Sequence, residues 1–296
     1  MSALSGHYAG NDIFEDNPEL KLITRIMRLY TTFSYIFARS SYLQKFDAAL
    51  DEAEEPDTNQ CWPQFGGTVL SSVFLQQSEK WEPLTLLHMS RAIVLVHDYI
   101  NALLEILCPE EEVCAQLWQG FLVDRLVQQY RQAISHARFL LGVERNQPAT
   151  FNHYFNDILQ KKRSDRFTSA MEKLAVNCTK NDGTSSKYVP VNQLRNGAEN
   201  KDNEEQVCED VLDTFTSYYK VARKRFVDVV YQQAIWHYLL ADPEGPLKVF
   251  DTDMVIRLTD EQLEEIAGED EESKQQRATL SREVESLKAA LKVLRS

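Results

Sequence analysis

From Glu204 to Leu240, apolar and aromatic side chains return every three or four residues: Val211, Phe215, Tyr218, Ala222, Phe226, Val229 and Trp236. A strand alternates every two residues and cannot gather this set on one face, so the pattern predicts one long amphipathic helix close to a heptad, with Gln233 as a polar intruder. The same period recurs along the chain. Asn17-Pro18 suits a helix start, and Leu22, Ile26, Leu29, Phe33 and Ile36 make a buried stripe in a helix from Pro18 to about Leu50. The acidic stretch Asp51 to Gln60 and the pair Gly66-Gly67 read as breaks. Thr68 to Leu107 is helical again and is divided at Pro83, which a helix interior does not tolerate. Pro109 closes that element, and Glu110, Glu111 and Glu112 open the next, which runs to Leu141 with Gly142 as its C-cap. A helix over Thr150–Val176 follows. The Asn-, Lys-, Ser- and Gly-rich stretch Asn177 to Asn203 has no period and reads as a flexible loop. After the turn at Asp242–Pro246 come short pieces, then a last helix carrying Leu280, Val284, Leu287, Leu291 and Leu294 at steps of 4, 3, 4 and 3. No run reads as a strand. The fold class is therefore all-α, and helices of thirty-odd residues, each ~45 Å or longer, favour an elongated antiparallel bundle with a C-terminal amphipathic helix.

Composition narrows the function. With 43% hydrophobic residues in 296, the chain has enough apolar surface for a real core, which excludes disorder throughout. A net charge of −13 argues against a nucleic-acid binder, whose contacts need clustered Lys and Arg. The most apolar stretch, Ala92 to Val96, meets His97 and Asp98 long before it could cross ~30 Å of hydrocarbon. The first twenty residues lack a basic segment followed by an apolar run, and five cysteines at irregular spacings read as reduced thiols. The expectation is a cytoplasmic protein that meets membranes only peripherally.

Catalytic chemistry finds no foothold. No Gly is followed by Lys, so a phosphate-binding Gly-Lys-Ser/Thr loop cannot be built from this sequence, and no nucleotide binding by the chain is expected. Cys108 and Cys114, six apart across Pro109, are poorly spaced for zinc and read as small apolar side chains. His88 and His97 are nine apart, about 180 degrees out of register on a helix, and read as separate packing or surface residues. Asn177-Cys178-Thr179 is a chance glycosylation tripeptide. The carboxylates lie in runs such as Glu52 to Glu55 and Glu269 to Glu272, which suit solvated faces. Catalytic residues, cofactors and metals are all expected to be none.

What remains is surface for interaction. Asp242 to Glu272 holds twelve acidic and two basic residues, whereas Lys274 to Ser296 holds six basic and two acidic. The terminal helix therefore suits an acidic neighbour, and its Leu/Val seam suits an apolar one. A closing helix of a self-contained bundle is the alternative.

The segment from Val207 onward resembles the GTPase effector domain of dynamin-type large GTPases. The residues that carry the resemblance are the helix Thr214-Phe215-Thr216-Ser217-Tyr218-Tyr219 through Phe226 to Leu240, then Gly245-Pro246-Leu247, the run Leu258 to Glu269, and the terminal Arg277 to Leu294 helix. Upstream, Thr150 to Phe155 with Leu159-Gln160-Lys161, and Phe74 to Trp81, are similar to the middle region of fungal, Mx-like members.

The resemblance implies a domain order: a flexible N-terminus over 1–17, middle or stalk-like helices over 18–176, a polar linker over 177–206 and effector-domain-like helices over 207–296. In that family the middle region and effector domain fold together as an antiparallel helical stalk that self-associates around membranes. The resemblance carries no GTP hydrolysis here, because this sequence holds no nucleotide-binding motif. It implies a homo-oligomer, or association with a full-length dynamin-type GTPase, through the seam Leu280, Val284, Leu287, Leu291 and Leu294. The 177–203 stretch stands where relatives carry a membrane- or target-binding loop, and Lys180, Lys187, Arg195 and Lys201 lie in it. Three readings stay open: a non-catalytic stalk protein, a C-terminal fragment of a complete membrane-remodelling GTPase, and a lipid- or target-binding module using that loop.

Overall fold

The computed structural model describes residues 4, 6, 12–40, 62–179, 185–190, 203–269 and 271–295. Its elements are α1 (Asp12–Asp16), a 3₁₀ turn Pro18–Leu20, α2 (Leu22–Ala38), α3 (Trp62–Gln77), α4 (Trp81–Leu107), α5 (Glu111–Leu117), a π segment Trp118–Leu122 and α6 (Val123–Asn146). Then come α7 (His153–Leu174), β1 (Val176–Thr179), β2 (Ser185–Tyr188), α8 (Asn203–Val229), a π segment Val230–Ala241, a 3₁₀ turn Pro246–Lys248, α9 (Thr252–Ile256), α10 (Asp260–Ala267) and α11 (Glu271–Arg295). The class is all-α. The chain forms two compact units, one of Met1–Leu22, Val94–Gln132 and Tyr238–Ser296, the other of Ile23–Ile93 and Ala133–His237.

Several boundaries differ from the periodicity, each for a local reason. The break between α3 and α4 falls at residues 78–80 and not at Pro83, which sits in the first turn of α4, where its missing N–H has no intrahelical acceptor to lose. Gly66 and Gly67 lie inside α3, so this pair is not a break. Gly142 lies inside α6 and does not cap it. The last turn is held by tertiary contacts: Glu144 pairs with Arg225, and Arg145 donates to Ser78 Oγ at 3.0 Å and to the Leu75 carbonyl at 3.3 Å. The expected ends of the first helix (41–50) and the acidic stretch 51–60 lie outside the described residues.

The unit Ile23–Ile93 with Ala133–His237 is an antiparallel helical assembly around α8. Along α2, Met27, Tyr30, Phe37 and Ala38 meet Tyr231, Asp228, Phe226 and Arg223 in reverse order. Along α7, Tyr154, Lys162, Arg163 and Arg166 meet Lys224, Thr216, Asp210 and Glu209 in the same reversed sense. At the centre stands Trp81, fully buried. Its ring lies 4.9 Å from Phe37, 5.5 Å edge-on from Phe74, 5.5 Å from Tyr219 and 5.3 Å from a stacked Phe226, and its indole N–H donates to Tyr219 Oη at 2.9 Å. Burying a tryptophan requires such an acceptor, so the Trp81–Tyr219 pair fixes which turn of α4 faces which turn of α8. His88 is also buried here, stacked flat on Phe33 at 3.9 Å, and neither ring nitrogen has a hydrogen-bond partner. Burial holds its pKa down at about 4, with the Arg91 charge acting in the same direction.

The heptad reading of the long helix holds through Phe226 and then fails. Val230, Ala234 and Ile235 are buried, whereas the predicted Trp236 is 37% exposed and Gln233 bonds His136 at 2.9 Å. The cause is the π segment from Val230, in which hydrogen bonds reach one residue further per turn and rotate the apolar stripe.

Part of the stretch read as a loop is a two-stranded antiparallel ribbon, β1 with β2, pairing Val176 with Tyr188 and Thr179 with Ser185. The β-branched and aromatic residues Val176, Thr179 and Tyr188 suit an extended pair too short to show a period.

The other unit buries Val96, Leu104, Leu117, Leu122, Leu126, Leu239, Leu240 and Ile266. His97 lies edge-on to Trp118 at 5.1 Å and to Tyr130 at 6.1 Å. Asp251 caps α9 by accepting from Met254 N at 2.8 Å, Thr259 and Gln262 close a capping box on α10, and α10 packs on α5.

Candidate interaction surface

The terminal helix α11 grows out of a tight junction. α10 ends at Gly268, whose N–H donates to the Glu264 carbonyl at 2.8 Å. A Cβ at this position would lie 2.0 Å from that same oxygen, so only glycine lets the chain turn here. Two ion pairs, Lys274–Glu264 at 2.7 Å and Arg277–Glu269 at 2.8 Å, tie the first turns of α11 to the end of α10. The Lys274 ammonium holds the Glu264 carboxyl below its usual range by hydrogen bonding and charge.

Beyond those pairs α11 is exposed on every side: each residue from Gln275 to Val293 is solvent-accessible. On one stripe stand Leu280 (55% exposed), Val284 (47%), Leu287 (69%) and Leu291 (50%), and Leu294 continues the same register in the helix backbone. The sequence-predicted seam is thus brought together along α11. Arg282, Glu283, Glu285, Lys288 and Lys292 stand exposed around it.

The four cations of the predicted loop are not brought together. Lys187 is exposed on β2, opposite Asn177, and Lys180, Arg195 and Lys201 lie outside the described residues. Periodicity also missed a polar seam between α7 and α8. Arg163 grips Asp210 through two bonds of 3.0 and 2.9 Å, and Arg166 meets Glu209 at 3.3 Å and Asp213 at 3.2 Å. Lys162 bonds Thr216, and burial first, then the Lys220 charge, pull its ammonium below the usual lysine range. Lys220 and Lys224 sit over the Tyr154 ring and hold its hydroxyl down, Lys220 chiefly by hydrogen bonding. Further along α8, Arg225 clasps Glu144 at 3.1 and 2.5 Å. Burial lifts the Glu144 carboxyl above its usual range even with this partner in place. Charged residues three and four apart on two facing helices were the available signal, but a sequence does not say which helices face each other.

Among the described residues no three His, Cys, Asp or Glu side chains cluster as a metal site would require, and no helix is long and apolar enough to cross a membrane. Cys108, Cys114 and Cys208 are free thiols.

Residues 203–296 match the family model of the dynamin GTPase effector domain. That span is thus similar to a dynamin GTPase effector domain, as the resemblance from Val207 onward implies. Neither a curated protein nor a solved structure matches the chain. The matched span begins with α8, the helix around which the unit Ile23–Ile93 with Ala133–His237 is built, and ends with α11.

Proposed function

We propose that this chain is a non-catalytic, dynamin-like stalk and effector-domain protein that assembles with itself, or with full-length dynamin-type GTPases, in membrane remodelling. Residues 18–176 supply the middle, stalk-like helices, and residues 207–296 supply the effector part that completes them. α11 is the docking helix. The observation that carries this reading is the exposed Leu/Val seam of α11 at the end of an effector-domain match. A fully buried Leu or Val contributes about 1.5–3 kcal/mol relative to an exposed one, so four or more such side chains on one stripe favour association strongly. Supporting it further, α8 of the effector segment packs on helices from the first two-thirds of the chain, as a stalk shared by the two regions requires.

The test is molar mass by light scattering over a wide concentration range, with and without a full-length dynamin-type GTPase. A shift from monomer to dimer and larger species, or into a mixed complex, is expected. A monomer at every concentration in both arms overturns the reading.

A further inference from the structure

Resting on the reading that α11 is a docking helix, we infer that its partner is α11 of a second copy, paired parallel and in register as a two-stranded coiled coil. The steps of 4, 3, 4 and 3 place Leu280, Leu287 and Leu294 at the d positions of a heptad, and Val284 and Leu291 at the a positions. Leucine throughout d, with the β-branched Val284 at one of the two seam a positions and Leu291 at the other, tilts the seam toward two parallel strands. The seam begins where the intrachain tie ends: Arg277, at the preceding a position, is paired with Glu269.

The flanks choose the orientation. The e positions are Ser281, Lys288 and Arg295, and the g positions are Gln276, Glu283 and Ala290. In a parallel pair each g residue faces the e residue five positions on in the other strand, so Glu283 meets Lys288 of the second copy, and symmetry makes the contact twice. The antiparallel alignment that stacks Leu280 on Leu291 and Val284 on Leu287 instead sets Glu283 against Glu283 and Lys288 against Lys288. Both residues are exposed and stand beside exposed seam positions. Charge therefore rejects the antiparallel pair and accepts the parallel one.

The experiment measures dimerisation of the full chain by sedimentation equilibrium at low salt, for the parent and four variants: E283K, K288E, E283K/K288E and L287S/L291S. All four change exposed positions, and far-UV circular dichroism checks that helicity is kept. Each single reversal turns two attractive contacts into two repulsive ones and is expected to raise the dimer dissociation constant about tenfold. The double reversal restores both contacts and is expected to return the constant to within about threefold of the parent. The serine pair is expected to weaken the dimer by more than about a hundredfold. A dimer weakened by the serine pair but indifferent to the single reversals, or not rescued by the double reversal, overturns the parallel pairing and leaves assembly through the seam standing. A dimer untouched by the serine pair overturns the inference while leaving self-assembly through another face. A chain that stays monomeric overturns the inference, and the reading it rests on falls with it when no mixed complex with a full-length dynamin-type GTPase forms either.

Discussion

Replacing His88 with Leu isolates the cost of one buried imidazole. His88 is 3% exposed, lies flat on Phe33, and offers two ring nitrogens with no partner. Its pKa is lowered to about 4 from an unfolded value of 6.5. The sign follows directly. Above pH 6.5 the ring is neutral in both states and titration contributes nothing. Between 6.5 and about 4 the unfolded chain takes up a proton that the folded chain refuses, so stability falls as pH falls. At pH 4.5 the loss is about two pH units at 1.36 kcal/mol each, or about 3 kcal/mol. The H88L chain keeps the apolar contact and loses the titration. Removing the two unsatisfied nitrogens is also expected to raise stability at pH 7.5 by about 1 kcal/mol, the loss of the flat ring contact offsetting part of the gain. Urea unfolding followed by circular dichroism at pH 7.5, 6.0, 5.0 and 4.5 gives both quantities. The difference between H88L and parent should widen by about 3 kcal/mol across that series, other carboxylates and histidines cancelling because both chains share them. A constant difference from pH 7.5 to 4.5 would show that the ring is already protonated or hydrated in the folded state, and the reasoning from burial would fall.

Two further outcomes test the packing. Tyr219→Phe leaves the buried Trp81 N–H without its acceptor and is expected to cost about 1–3 kcal/mol in thermal unfolding; adding Trp81→Phe should cost less than the two single changes summed, because the orphaned donor goes with it. Gly268→Ala pushes a methyl group into the Glu264 carbonyl and should loosen the α10–α11 junction, seen as faster amide exchange over residues 271–277, with a stability loss of about 1–3 kcal/mol.

The periodicity located most helices because burial on one face is written locally. Phe215, Tyr218, Ala222 and Phe226 fall on the buried stripe, and Phe74 and Trp81, the two ends of the stretch similar to the middle region of Mx-like members, stand together in the aromatic centre. What the sequence withheld was set by partners distant along the chain. Gly142 stays helical because Glu144 and Arg145 are held by residues 81 and 67 positions away. Trp236 faces outward because a π segment, with no composition signature, shifts the register before it. The ribbon at 176–188 was invisible because four residues per strand are too few for a period to declare itself. The α11 seam was legible for the opposite reason. A helix that touches little else in its own chain keeps its pattern undistorted by tertiary contacts.

The place of α8 at the heart of the aromatic cluster has a consequence in time. Phe37, Phe74 and Trp81 leave the ribosome first, and Tyr219 and Phe226, which close over them, follow about 140 residues after Trp81. At roughly 5–20 residues per second, that interval is about 7–30 s. Throughout it the largest apolar rings of the nascent chain wait for their last wall, and α8 is the element that ends the wait.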